Sequence, residues 1–333
     1  MLGIALTAAT GKSFEQNLDD LYFKALNLSR SSVTTPEATW GIIPNNVTAW
    51  WDTDIGFENP AGGVYSSSTD LAKLGKAILS SSQLSPKDVR RWLKPVTHTS
   101  SLYTSVGAPW EIIRYQNPDI PYQIIDLYTK GGDIGDYHTW ILLIEEYNVV
   151  FSVLIAGNSV VQAVAKQTLL AALMPALNNV ARQQAADNLV GSYVAKGSNG
   201  TNSSITLTMD DGPGLVVSAL VSNGTDALAA FGEIGFTLPS AGPVRLYPSA
   251  LRSNDSSESS KGVVERLGFR MAFQSSLPDP TWLPGQEDCF TWAGLDGLQW
   301  GKIAVDDVVI GVDKNGKGVE VEVRGYRLVL DRA

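Results

Sequence analysis

The chain has 333 residues, of which 44 % are hydrophobic and 18 % charged, and it carries a net charge of −9. That composition is globular, and the length is too great for one ordinary domain and suits two. Lys and Arg are scattered without runs, which excludes a phosphate-binding surface and hence nucleic acid as a partner, and no stretch of ~20 uninterrupted apolar residues is present to cross a membrane.

Residues 2–9 read as the end of a buried helix stopped by Gly11. The same segment has an apolar run but no basic leader, so it does not read as a secretory signal. Ser13 begins a second helix, with Gln16 three residues on as a capping box and Phe14, Leu18, Leu21 and Ala25 as its apolar stripe. The Gly- and Trp-rich segment 40–65 is expected to be mostly loop. It leads into a helix at 69–81 with Leu71, Leu74, Ala77 and Ile78 buried, and another helix follows at 86–93. Strands are expected at Tyr122–Thr129, His138–Glu145 and Val149–Ala156, the first two joined by a Gly-rich stretch, which predicts an antiparallel meander. A long apolar helix over 159–187 carries Val161, Ala165, Leu169, Leu173 and Leu177.

After residue 188 the pattern changes to short strands and turns, at 205–209, 215–221, 244–247, 263–273 and 302–311. Ser253 to Lys261 is a polar, Ser-rich stretch expected to be a mobile loop. Asn315-Gly316 predicts a hairpin turn into the period-2 strand Val319–Val323. That reading is preferred to a calcium loop, because Lys317 occupies the fifth position of the run that begins at Asp313. Cys289 is the only cysteine, which rules out an internal disulfide, and it reads as a small buried apolar side chain. With only His98 and His138 beside it, a cysteine- or histidine-rich metal centre is excluded, and no cofactor is implied.

The run Thr129-Lys130-Gly131-Gly132-Asp133-Ile134-Gly135-Asp136-Tyr137-His138 resembles the third catalytic box of the serine β-lactamases and penicillin-binding proteins. Its neighbours strengthen the likeness. Leu6 to Glu15 matches the helix–turn–helix after that family's Tyr-x-Asn box, and Phe23-Lys-Ala-Leu26-Asn-Leu28 resembles its Phe-x-Pro-Leu-Gly-Leu phrase. Pro60-Ala-Gly62-Gly63-Val-Tyr65-Ser66 matches its Pro-Ala-Gly-Gly-x-Tyr-Ser turn and the helix after it. The anchors cover residues 3 to about 158 in the family's order. The nearest likeness is to class C-type, secreted fungal β-lactamase-like proteins with a β-rich C-terminal domain.

The resemblance implies an α+β fold. Residues 1–187 would be an incomplete β-lactamase/transpeptidase-like domain, an antiparallel sheet flanked by helices, and residues 188–333 an all-β barrel or sandwich. It implies that Lys130 sets the field around the base and the developing oxyanion, and that the backbone N–H of Asp133 donates one oxyanion bond. Gly131, Gly132 and Tyr137 would line the substrate cleft, and the substrate would be a small ester, amide or peptide.

Two departures qualify this. Gly131 stands where the family has a hydroxyl that helps hold an antibiotic's carboxylate, which points to esterase or peptidase chemistry at least as much as to lactam hydrolysis. No lysine has a serine three residues before it, so the Ser-x-x-Lys nucleophile box is absent. The family's Ser-x-x-Lys and Tyr-x-Asn boxes precede the region where this chain starts. The chain is therefore expected to be a C-terminal portion and silent on its own, with reassembly with a separate N-terminal piece or self-association as a further reading. The alternative is a non-catalytic secreted ligand-binding protein or decayed pseudoenzyme.

Tyr115-Gln116-Asn117 spells Tyr-x-Asn in the wrong order and reads as a loop beside Trp110. His138 reads first as a structural histidine, and Trp50-Trp51 as a loop anchor, with stacking on a sugar or aromatic substrate as the alternative. Six Asn-x-Ser/Thr sequons, at Asn27, Asn46, Asn199, Asn202, Asn223 and Asn254, point to an extracellular glycoprotein.

Overall fold

The computed structural model describes residues 1–44, 50–118, 123–196, 202–234, 243–254, 262–273 and 295–333. Asn46, Asn199, Tyr122, Cys289 and residues 255–261 of the Ser-rich stretch lie outside them. The chain divides into two compact units, Met1–Leu177 and Asn178–Ala333, so the division falls inside the long helix and earlier than the composition change near 188.

The first unit opens with α1 (Leu2–Thr10) and α2 (Phe14–Leu18), followed by a π turn over Asp19–Phe23. The Ser13–Gln16 capping box forms as expected, each side chain taking the other's backbone N–H. The burial expected around it does not. In α1 only Gly3 is buried, because a Cβ there would strike Pro60, while Leu2 and Ile4 are exposed. Leu21 is also exposed, and the buried side chain of the pair is Asn17. Its Nδ2 donates to Thr10 Oγ1, Lys12 O and Ser13 O and so locks the turn between the helices.

Next come α3 (Asn59–Gly62), α4 (Ser68–Leu79) and α5 (Pro86–Trp92). Ser67 and Ser85 cap the latter two by accepting from the amides of Asp70 and Asp88. A six-stranded antiparallel sheet follows in the order β1 (Thr97–His98), β2 (Thr104–Val106), β3 (Glu111–Gln116), β4 (Ile124–Ile134), β5 (Tyr137–Ile144), β6 (Val149–Ala156).

The expected meander is β4–β6, but it is preceded by three strands, β1–β3, to which the sequence reading assigns no element. Of Tyr115-Gln116-Asn117, expected as a loop, Tyr115 and Gln116 end β3, and Asn117 just beyond it is bonded to Gln123. The Gly-rich box is not a connection either. It continues β4 to Ile134, and the turn is the two-residue Gly135-Asp136, with Gly135 at a φ of 55°.

α5 and α4 cover one face of the sheet through Val89, Leu93, Trp110, Ile112, Tyr128 and Leu143, joined by Ile78 and Leu79. The other face packs Ile125, Leu127, Trp140, Leu142 and Ile144 against Leu170, Met174 and Leu177 of α6 (Ser159–Leu189). The buried stripe of α6 runs through Gln162 and Met174, one position on from the expected Val161 and Leu173, and Val161 is exposed. Contrary to expectation, α6 is long and apolar enough to cross a membrane by length and composition. Its Leu170, Met174 and Leu177 pack on the sheet, and the Gln162 amide donates to Thr139 O.

The second unit contains β7 (Gly191–Val194), β8 (Ser204–Thr208), β9 (Leu215–Ser222), β10 (Thr225–Asp226), α7 (Ala227–Ile234) and β11 (Val244–Asn254). Then follow β12 (Glu265–Phe273), β13 (Gln299–Trp300), β14 (Ile303–Ala304), β15 (Asp307–Val312), β16 (Gly318–Val323) and β17 (Leu328–Arg332). Strand order β9-β11-β12-β15-β16-β17-β7-β8 closes on itself through the β8–β9 pairing, so the barrel form of the expectation is the one observed. The interior is filled by Tyr193, Ile205, Leu207, Leu246, Met271, Ile310, Val321 and Leu330.

The Asn315-Gly316 hairpin is present. Asp313 Oδ1 accepts from the amides of Asn315 and Lys317, forming an Asx turn. Val321 and Val323 face the barrel interior. Glu320 and Glu322 lie on the outer face, where both meet Arg266 of β12 across Gly311 of β15.

Buried Arg245 forms a two-pronged pair with Asp210, at 2.9 and 2.8 Å, and this guanidinium holds the Asp210 carboxyl below its ordinary value of 3.8. A carboxyl depressed on folding contributes stability above its unfolded value, and the contribution is lost as pH falls through the folded one. Asp210→Asn should therefore cost about 1–2 kcal/mol at neutral pH, the low end for a charged hydrogen bond because Asp210 is half exposed. The gap should close in acid, and equal urea midpoints at neutral pH would contradict this. In the first unit, a Cβ at Gly75 of α4 would lie 2.4 Å from Val150 Cγ1 on β6. Gly75→Val should destabilise by about 1–3 kcal/mol of overpacking, read as a lower thermal midpoint by circular dichroism.

Candidate active site

The site is built where β4 outruns its neighbour. β3 starts at Glu111 opposite Thr129, while β5 stays paired with β4 as far as Ile134. Among the described residues, 130–134 are therefore paired on one side by β5 and have no strand on the other, which is their free edge. The Gly131 N–H points to that edge, where it donates to Glu111 Oε2 at 2.9 Å. Backbone direction alternates along a strand, so the Asp133 N–H faces the same edge. That is the position at which the family resemblance implies an oxyanion donor.

Lys130 lies along this edge. Its Nζ donates to Glu111 Oε1 at 2.6 Å and to the Gly131 carbonyl at 2.8 Å. Gly132 leaves the sheet surface bare. A Cβ there would sit 2.6 Å from Thr139 Oγ1, and that hydroxyl donates to the Gly132 carbonyl. The side chain of Asp133 belongs to the opposite face, where Oδ1 lies 2.7 Å from Nδ1 of buried His138. Nε2 of His138 donates to the Gly157 carbonyl at 3.1 Å. His138 thus ties the Gly-rich end of β4 to the end of β6 and does not line the cleft.

Tyr137 shares its sheet face with Lys130 and Gly132, and its hydroxyl donates to Ile42 O at 3.2 Å. Burial, followed by the neighbouring Tyr65 and Asp136, raises its hydroxyl above the usual tyrosine range. The ring lies 5.9 Å from Trp51, which in turn meets Tyr65 edge-on at 5.2 Å. Trp50 covers Gly135, where an added Cβ would come within 2.6 Å of the indole. The tryptophan pair therefore anchors a loop against the hairpin turn.

The two upstream sequence phrases are stitched to each other and to this wall. Asp70, 1 % exposed, accepts from Arg30 N at 2.7 Å and Ser31 Oγ at 3.0 Å, and Lys73 bonds both Asp70 and the Asn27 carbonyl. Ser32 and Tyr65 exchange backbone bonds at 3.1 and 2.8 Å, and the Tyr65 hydroxyl donates to the Trp51 carbonyl. Sequence reasoning missed Glu111. The apolar pair Ile112-Ile113 beside Trp110 was the available sign of a strand there, and that strand fixes where Glu111 points. Of the sequon asparagines, Asn27, Asn202, Asn223 and Asn254 are exposed, and Asn27 and Asn223 adopt positive φ in turns.

The Beta-lactamase family model matches residues 1–174, and the model described as "Beta-lactamase-like-like, C-terminal domain" matches residues 181–333. A Beta-lactamase-like protein of Arthroderma benhamiae is 32 % identical over 97 % of this chain and 58 % of its own length. Probable hydrolase clz13 of Cochliobolus lunatus is 26 % identical over the whole chain and 54 % of its own length. The chain thus spans little more than half the length of these relatives. Among solved structures, an octameric penicillin-binding protein homologue from Pyrococcus abyssi is 15 % identical with a TM-score of 0.39, over 99 % of this chain and 62 % of that one. With one family model over residues 1–174 and its C-terminal companion over 181–333, the chain belongs to the β-lactamase-like family.

Proposed function

We propose that this chain carries the oxyanion edge and lysine box of a serine acyl hydrolase acting on small esters, amides or peptides. The observation that carries the reading is the free edge of β4, with the Asp133 N–H and Lys130 beside it. Acyl transfer develops negative charge on the carbonyl oxygen, and a preorganised backbone donor stabilises it at no reorganisation cost. In this reading the nucleophile and base come from polypeptide outside these 333 residues, because no serine stands three residues before a lysine. The chain alone should then be silent toward acylating probes.

The test is fluorophosphonate labelling of the chain and of a form extended upstream to the length of its relatives. Labelling of the extended form alone supports the reading, and labelling of the short chain overturns it. In the extended form, Asp133→Pro removes the edge donor and should slow labelling by about 10²–10³. Asp133→Asn keeps the N–H and should label at close to the unmodified rate. Equal loss in both variants would assign the effect to the side chain and contradict the backbone role.

The same reading places the protein outside the cell, supported by the exposure of Asn27, Asn202, Asn223 and Asn254. Expression through a eukaryotic secretory pathway should give a product whose electrophoretic mobility increases on endoglycosidase treatment. An unchanged mobility would count against glycosylation at all of these sites.

A further inference from the structure

Resting on the acyl-hydrolase reading, we propose that Glu111 is a specificity-determining residue: its carboxylate turns the lysine box away from substrates bearing a carboxylate beside the acyl group and toward neutral or ammonium-bearing ones. The first support is charge. Lys130 Nζ sits 2.6 Å from Glu111 Oε1, so the cation an anionic ligand would seek is already matched. Both side chains are about half exposed, at 45 % and 54 %, so an incoming ligand meets the carboxylate as readily as the ammonium.

The second is donor count. Glu111 Oε2 takes the Gly131 N–H, so the edge beside Asp133 presents a carboxylate oxygen where a free amide would otherwise face the ligand. The third is space. A Cβ at Gly131 would lie 3.4 Å from that same oxygen, in van der Waals contact with it. A hydroxyl-bearing side chain at 131 would therefore stand directly beside the Glu111 carboxylate. Gly131 and Glu111 are therefore complementary. Together they remove the hydroxyl, the amide and the unpaired cation that an anionic group needs, and they place a like charge in its path.

The test is an NMR titration of the 15N-labelled chain with n-butylammonium and with butyrate, following the amides of Gly131, Gly132 and Asp133. In the native chain n-butylammonium should shift them and butyrate should not. Glu111→Gln should reverse this, with butyrate binding gaining about tenfold or more. Glu111→Asp, which keeps the charge, should retain the native preference and serves if the glutamine variant fails to fold. Equal response to both probes in the native chain, or an unchanged ratio in a folded Glu111→Gln, would overturn the proposal. Binding does not depend on turnover, so the two ideas fail separately. Charge-selective binding without labelling of the extended form would count against the hydrolase alone. Labelling with charge-blind binding would count against Glu111 alone.

Discussion

The arrangement depends on a mismatch in strand length. β4 continues past Thr129 with β5 on one side and nothing of β3 on the other, so its backbone keeps half of its ladder bonds and presents the remainder to whatever approaches. An exposed strand edge is usually a liability, since it templates pairing with another chain. Here the edge is short, one of its amides is held by the Glu111 carboxylate, and Lys130 lies along it. The glycines that weaken a strand interior are tolerable because only one neighbour needs packing, and they keep the sheet face bare between Lys130 and Tyr137.

The rest of the first unit holds that edge in place. Trp110, Ile112 and Tyr128 under α5 fix where β3 begins, and so where Glu111 can reach. His138 bridges Asp133 to Gly157, which holds the side-chain face of the box while leaving its backbone edge open. The wall opposite is assembled from distant segments: Asp70 gathers the backbone at Arg30 and Ser31, Tyr65 pairs with Ser32, and Trp51 links Tyr65 to Tyr137. The phrases that carry the family likeness in sequence are thus the segments that hydrogen-bond one another in space.

Local chemistry with a single solution was legible in the sequence. The Ser13–Gln16 box, the Asn315-Gly316 hairpin, the strands β5 and β6 and most of the barrel strands follow from capping, turn and period-2 signals. Features set by non-local partners were not legible. Leu21 fits a helical stripe yet is exposed, because buried Asn17 satisfies the Thr10–Ser13 turn and fixes the helix's rotation. The Gly-rich box reads as a turn because glycine is a turn residue. It is strand because β5 supplies a partner that no local signal reveals. Lys130 could be singled out from its motif. Glu111, nineteen positions away in sequence, could be placed only once β3 was registered on β4.

As proposed above, the Asp133 N–H on the free edge of β4 acts as an oxyanion donor to a nucleophile from elsewhere in the polypeptide. The most direct measurement is a crystal structure of the upstream-extended protein after reaction with a phosphonate that mimics the tetrahedral intermediate. The account predicts the phosphonyl oxygen at about 2.7–3.1 Å from the Asp133 nitrogen, with Lys130 and Gly131 still engaged by Glu111. A phosphonate bonded away from this edge, or an Asp133 N–H already held by a neighbouring strand, would contradict it.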